Sequence, residues 1–551
     1  MKKASGSWIV PQVKPAILLV CLFLVSNSHA RAQVTPAKVS MKKAPARSEG
    51  EGPFPHLFLR NAILIDGTGA PPVGPVDIVI ENNRIANIQV LSDPGAPLEA
   101  RTRAKSGDRE LDVAGMYVLP GFINMHTHIG PITSVPAEYL YKLWLGHGIT
   151  TIREVWCENG LEWVLEERRR SERNEITAPR IRAYCYFGLG HDKPLLNATE
   201  ARQWVDELVD RGVDGIKFFG LPPIQFEAAL DEATKRKVRS AAHLSQQYVT
   251  RANALNVARW GLTTLEHWYG LPESLFNDRT VQDFPSDYNY ANEANRFGYA
   301  GRLWLQAAKP NTAKWNEVRD ELLRLNLTLD PTFSIYDASR DFMRARRAEW
   351  HDQYTIPALW HSFDPSRGQH GAFFYNWTTE DQVAWKHNYE RWMEFVADYK
   401  NHGGRIVAGE DAGYIYSLYG FGYIRELELL REAGLHPLEV FRAATLNGAE
   451  ALALADVLGT VEPGKLADLV VASENPLANI ASLYGTGTIK LTERGEVVRK
   501  GGVRYTIKDG IIDDASKLLA DVRRIVEESR KNDNSQIILP KAPHKSSSDP
   551  K

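Results

Sequence analysis

Three kinds of hydrophobic pattern divide this chain. The first is an unbroken apolar run, "AILLVCLFLV" (Ala16–Val25), preceded by Lys2, Lys3 and Lys14 and followed by "SHARAQ". A bilayer span takes ~20 residues, so this run is too short for one. Ala30 and Ala32 flank Arg31 in a small-x-small pattern. Residues 1–32 therefore predict a removed secretory signal peptide, cleaved after Ala32 or, as second choice, after Ala30. From Gln33 to residue 54 no periodicity is visible among Pro, Lys and Ala, which predicts a disordered linker.

The second pattern is short and β-like. "HLFLRNAILIDGTG" opens it, and "VDIVIENNRIANIQV" reads as a hairpin around Asn82 and Asn83. A similar region returns far downstream in "ADLVVAS" and "TIKLTERGEVVRKGGVRYT". Strands from both ends predict one small β-sandwich domain, built from residues 55–115 and 456–510, with everything between them inserted.

The third pattern alternates. The runs "YVLPGFINMHTH", "GITTIREVW", "RIRAYCYFGL", "VDGIKFFG", "VRSAAHLS", "TTLEHWY", "LTLDPTFSIY" and "RIVAGEDAG" are separated by helical stretches such as "ARQWVDELVDRG". Continuous apolar runs are what parallel strands buried on both faces require. Eight such units over residues 116–455 predict an α/β fold, a (β/α)8 TIM-like barrel. Two long inserts, at about 270–325 and 338–400, interrupt it. The second is dense in aromatics (Trp350, Trp360, Trp377, Trp385, Trp392 among them), which argues against disorder and for a helical cap over the barrel mouth. "DDASKLLADVRRIVEESR" predicts a C-terminal helix over 511–530, capped by Asp513 or Asp514, before a disordered tail at 531–551.

Composition changes this picture little. A net charge of -2 gives no electrostatic reason to expect nucleic acid, and after cleavage no segment calls for a membrane. The chain reads as exported, to a periplasm or the outside. Cleavage leaves Cys157 and Cys185, for which two buried free thiols are the first expectation and a single bridge the second. A homo-oligomer is left open.

Candidate chemistry collects at the strand ends. Residues i and i+2 of a strand point the same way, so His126 and His128 of "INMHTH" both face the barrel axis at its C-terminal end, where such barrels hold active sites. Lys217 ends "VDGIK", His243 ends "VRSAAH", His267 ends "TTLEH" and Asp411 ends "IVAGED". Each has a dull explanation alone, such as a core histidine or a helix-capping aspartate. Five strand ends on one rim make the dull readings improbable together. A desolvated, neutral lysine amine can take up carbon dioxide to become a carbamate that bridges two cations. His126, His128 and Asp411 would then hold one divalent metal, His243 and His267 the other, and the Lys217 carbamate both. Imidazole-rich ligation makes zinc the default. With a bridging hydroxide, the excess positive charge favours a carbonyl and its developing oxyanion.

The set "HTH", "IKFF", "AAH", "LEH" and "GED" resembles the amidohydrolase superfamily in order and strand placement, and "LPGFINMHTHIG", "GITTIRE" and "NGAEALALADVLGTVEPGKLADLVV" agree. The resemblance runs from about His56 to Lys508 apart from the inserts. It is closest in kind to the branch of imidazolonepropionase-like proteins and metal-dependent, Xaa-Pro type dipeptidases. It implies an enzyme, a binuclear hydrolase in which a metal-bridging hydroxide attacks a carbonyl. Asp411 would accept the proton and return it to the leaving amine. Lys217 argues within the superfamily for hydrolysis of an amide, lactam, lactone or ester, because its deaminases typically use one metal and lack this lysine.

Departures stand beside the resemblance. Glu410 occupies a place where the family commonly has threonine, points away from the metals and needs a partner. "LSQQ" follows His243 where small, glycine-rich residues are common. Arg153 is a candidate for a substrate carboxylate, with a structural ion pair as its equal alternative. His191, Tyr269 and Tyr336 are further candidates for contact with a small-molecule substrate. The first functional expectation is a secreted amidohydrolase of a peptide-like amide or N-acyl amino acid. The alternatives are a lactonase, carbamate hydrolase or organophosphate hydrolase on the same site, and a non-catalytic metal-containing binding protein. Retention of the proton carrier Asp411 weakens the last.

Overall fold

The computed structural model describes residues 41–91, 107–130, 134–191, 194–364 and 373–533. The expected signal peptide, the start of the linker and the tail from 534 onward lie outside these.

The run read as one strand, "YVLPGFINMHTH", is two. Tyr117–Pro120 pairs with Leu469–Ala472 in the small domain, and Phe122–Thr127 begins the barrel, so the barrel starts at Phe122 rather than 116. Gly121 is the break between them, its N–H donating to Asp468 O at 2.7 Å. A side chain there would run into Thr150, with a Cβ only 2.1 Å from Oγ1.

Seven parallel strands follow in consecutive order around the barrel. They are Phe122–Thr127, Ile149–Glu154, Arg180–Tyr186, Gly215–Phe218, Arg239–His243, Thr264–Glu266 and Thr328–Asp330. The first two are buried at every position, as strands covered on both faces must be. The eighth expected strand, "RIVAGED", forms no full ladder, yet it closes the ring by hydrogen bonds to both neighbours. Leu329 N donates to Arg405 O and Val407 N to Leu329 O, each at 3.0 Å. On the other side Met125 N donates to Ala408 O at 2.9 Å and Asp411 N to His126 O at 3.0 Å. Gly409 lies where that closure is tightest, since a Cβ would sit 2.6 Å from Asp330 Oδ1 and 2.8 Å from His126 Cβ.

Both chain ends meet in the small domain. Its strands form one mixed sheet in which Leu469–Ala472 joins Tyr117–Pro120 to Val503–Lys508, and His56–Leu64 pairs with Val73–Glu81. Leu57, Leu59, Ile78, Ile80, Leu469, Val471 and Ile507 share its core. The hairpin at Asn82 is present, with Glu81 opposite Arg84.

Three expectations need correction. Residues 41–54 are ordered, not a disordered linker. Met41 and Ala44 are buried, Trp163 Nε1 donates to Met41 O at 3.2 Å, Arg47 N donates to Glu175 O at 2.8 Å, and Glu51 pairs with Ile512. The segment takes its order from the helix Leu161–Glu172 and the sheet edge, which its own composition does not reveal. Ile511–Asp514 is a strand, and the terminal helix runs Ala515–Asn532 from an Asp514 cap that accepts from Ser516 N and Lys517 N. Cys157 and Cys185 are joined by a disulfide, with Cα atoms 5.3 Å apart. The neighbouring second and third barrel strands bring the pair together.

Most insert aromatics do not face the mouth. The helix Thr379–Asn401 buries Trp385, Tyr389, Trp392 and Phe395, and Trp385 stacks on Tyr336 with centroids 5.6 Å apart. They buttress the wall of the site from behind. Among the described residues no helix is long and apolar enough to cross a membrane.

Candidate metal centre

All six residues expected from the strand ends line one cavity of about 470 Å³ at the barrel mouth: His126, His128, Lys217, His243, His267 and Asp411. The histidines form an arc. Ring centroids are 5.3 Å apart for His126–His128, 5.1 Å for His126–His267 and 4.7 Å for His243–His267. Three Nε2 atoms face the Asp411 carboxylate, at 3.5 Å from His126, 3.1 Å from His128 and 3.6 Å from His267. His267 and Asp411 both have left-handed backbone, φ 59° and 46°. Non-glycine residues hold that conformation only where their surroundings impose it. Here His267 N donates to Asp330 O at 2.9 Å, and Asp411 N donates to His126 O.

Burial sets the electrostatics. Desolvation, helped by the Lys217 charge, holds His126 well below the ordinary imidazole range, and desolvation pushes His267 down to about 3. Desolvation likewise lowers Lys217 well below the usual amine range. For His128 desolvation is outweighed by the hydrogen bond and charge of Asp411, so it rises. Desolvation is likewise overcome at Asp411, chiefly by His128, and its carboxyl lies below the usual range. Imidazoles and a carboxylate converging in a buried cleft are the donor set of a divalent cation. The ligand atoms of His126, His128 and Asp411 lie within 4.8 Å of one another.

Sequence reasoning missed what lies underneath. Glu266 and Asp330 also approach His126, but both are bonded to Arg153. Its guanidinium donates to Glu266 at 3.1 Å, to Asp330 at 3.0 Å and to Met125 O at 2.5 Å. Arg153 is thus a buried strut tying barrel strands below the centre, not a substrate contact. Lys217 Nζ also lies against Glu266. The partner sought for Glu410 is the Trp144 indole, together with the Gly420 N–H. Among the other substrate candidates, Tyr336 lines the cavity and Tyr269 stands behind it, the two hydroxyls 3.0 Å apart. His191 packs edge-on against Trp204 at 4.8 Å, and it is not part of the cavity wall. The unforeseen lining includes Trp156, Glu158, Phe219, Arg296, Phe297 and Tyr414. Phe219 stacks on the His243 ring at 4.3 Å.

Residues 391–511 match the sequence signature described as the Amidohydrolase family. An imidazolonepropionase of Thermoplasma acidophilum is 38% identical over 88 residues, 16% of this chain and 20% of that protein. An adenine deaminase of Listeria welshimeri is 32% identical over 111 residues, 17% of this chain and 18% of its own length. The chain thus spans about a fifth of the curated relatives it matches. Among solved structures, a Xaa-Pro dipeptidase with bound methionine superposes with TM-score 0.56 at 18% identity, over 83% of this chain and 100% of that one. A bottromycin amidohydrolase gives 0.59 at 18% identity, over 86% and 90%. These likenesses establish the fold. Residues 391–511 thus carry that family's signature, and the barrel has the fold of these structures.

Proposed function

We propose that this protein is a metal-dependent hydrolase of an amide bond in a small peptide-like or N-acyl amino acid substrate. The observation that carries the proposal is the convergence of three imidazole Nε2 atoms on Asp411 in a cavity also lined by Lys217 and His243. His126, His128 and Asp411 would hold one cation, His243 and His267 a second, and Lys217, as its carbamate, both. Two divalent cations, zinc by donor preference, would supply Lewis acidity at the scissile carbonyl and acidify water.

The chain's own residues do the rest. Asp411 is ionised and within reach of every imidazole but His243, so it can take a proton from water and return it to a leaving amine nitrogen. Burial raises Tyr336 above its ordinary phenol value, so its hydroxyl remains a donor for a carbonyl oxygen. Trp156, Phe219, Phe297 and Tyr414 give the cavity apolar walls that exclude water. The dipeptidase and amidohydrolase likenesses support an amide as the bond cleaved. Export is part of the same proposal, supported by the apolar leader at Ala16–Val25 and the Cys157–Cys185 disulfide. N-terminal sequencing of the mature protein should begin at Gln33 or Arg31.

The test is turnover of Xaa-Pro dipeptides, N-acyl amino acids and aryl lactones, with metal content measured on the same samples. Asp411→Asn should lower amide turnover by about 100-fold or more, the range of general acid–base catalysis. Turnover confined to lactones, or insensitive to Asp411→Asn, refutes the reading.

A further inference from the structure

Two departures noted in the sequence meet in space. "LSQQ" after His243 and the insert after the sixth barrel strand touch through two hydrogen bonds. Ser245 Oγ donates to Tyr290 OH at 2.9 Å, and Arg296 Nε donates to Gln246 Oε1 at 3.3 Å. Arg296 comes from the insert helix Glu293–Ala300 and lines the cavity with the six candidate ligands. Its side chain is fixed by packing. The guanidinium carbon lies 4.6 Å from the Tyr290 ring centre, 4.7 Å from Phe297 and 5.9 Å from Phe219, the ring that stacks on His243.

What the guanidinium Nη2 lacks is an acceptor. Arg296 is only 7% exposed and Gln246 only 4%, yet Arg296 Nη2 and Gln246 Nε2 are both buried without a hydrogen-bond partner. Two adjacent donors, one of them cationic, would each cost free energy if they remained so. Among the described residues no carboxylate forms an ion pair with Arg296. The remaining acidic group on the cavity wall outside the ligand set is Glu158, which follows the second barrel strand. Arg296, although it comes from the insert after the sixth strand, packs beside Phe219 and Gln246, which follow the fourth and fifth.

We infer that Arg296, positioned by Gln246, binds a carboxylate of the substrate on the His243 side of the centre. The substrate class is then an amide bearing a free carboxylate close to the scissile bond, such as an N-acyl amino acid or the C-terminal residue of a dipeptide. A fork of guanidinium donors suits a carboxylate better than any neutral group. This inference rests on the functional reading above.

The test is binding of L-phenylalanine and L-phenylalaninamide to the zinc-loaded full chain by titration calorimetry, beside turnover of N-acetyl-L-phenylalanine and its carboxamide. The acid should bind about 30- to 100-fold more tightly than the amide, as expected for a buried charge-assisted pair. Arg296→Met should abolish that preference, Arg296→Lys should retain part of it, and Gln246→Met should raise KM more than it lowers kcat. Wild-type protein with no preference, or with no binding of either compound, overturns the inference. So does a preference that survives in folded Arg296→Met, since the cations would then be reading the carboxylate. Absence of all amide turnover with the binding preference intact would instead overturn the functional reading and spare this one.

Discussion

Trp144 Nε1 donates to Glu410 Oε1 at 2.5 Å, while the Gly420 N–H donates to Oε2 at 2.8 Å. That pairing explains how a glutamate is accommodated beside Asp411, pointing away from the candidate centre. Burial raises Glu410 to about 8, so near neutrality it is largely an uncharged acid. Trp144→Phe removes the donor and leaves a buried oxygen unpaired, which should cost about 1–3 kcal/mol. Denaturant unfolding of the metal-free protein reads this directly. A midpoint equal to that of wild type would show the bond contributes nothing.

Much of the site was legible because strand periodicity places i and i+2 residues on one face. His126 and His128 could be aimed inward from "HTH" alone, and the other strand-end residues followed the same logic. The supporting layer was not legible. Arg153 sits in an equally apolar strand, and nothing local distinguishes a ligand-facing arginine from one buried beneath the centre against Glu266 and Asp330. Arg296 was hidden for the opposite reason: its insert has no barrel periodicity, so only the fold reveals which wall it reaches. The ordered segment 41–54 was missed and the disulfide stood only second, because each depends on partners more than a strand away in sequence.

Lys217 gives the most direct check on the candidate metal set. Lys217→Ala should lower the metal bound per chain and abolish most activity, and a short carboxylic acid in the medium should restore part of both by replacing the missing anion. Elemental analysis across a series of propionate concentrations measures this. Full metal occupancy in Lys217→Ala without any added acid would rule out the carbamate.

The disulfide closes a separation of 28 residues. Chain-entropy arguments give a loop of that size about 3–4 kcal/mol of stabilisation. Trp156, next to Cys157, stacks on Tyr186, next to Cys185, with centroids 4.4 Å apart, and Trp156 lines the cavity. The double variant Cys157→Ala, Cys185→Ala should therefore melt several degrees lower and also show a raised KM. An unchanged melting temperature on reduction of the wild type would contradict the first part, and an unchanged KM the second.

Glu426 tests the cost of buried carboxylates away from the centre. It is fully buried, Oε2 accepts from Ser334 N at 2.7 Å, and Oε1 has no hydrogen-bond partner. Desolvation raises its pKa from 4.5 to about 8. The sign follows from proton counts. Between those two values the folded protein keeps a proton that the unfolded chain has lost, so stability falls as pH rises through the window. Glu426→Gln mimics the protonated acid at every pH and removes that slope. At pH 5 the variant and wild type should be of similar stability, and by pH 8 the variant should be more stable by on the order of 2–4 kcal/mol. Glu154 and Asp513, each raised to about 7 by desolvation, add a slope of the same sign to both proteins. The quantity to measure is therefore the difference between the two unfolding curves, taken in chelator at both pH values. A difference that does not grow toward pH 8 would mean that Glu426 ionises at no cost to the fold.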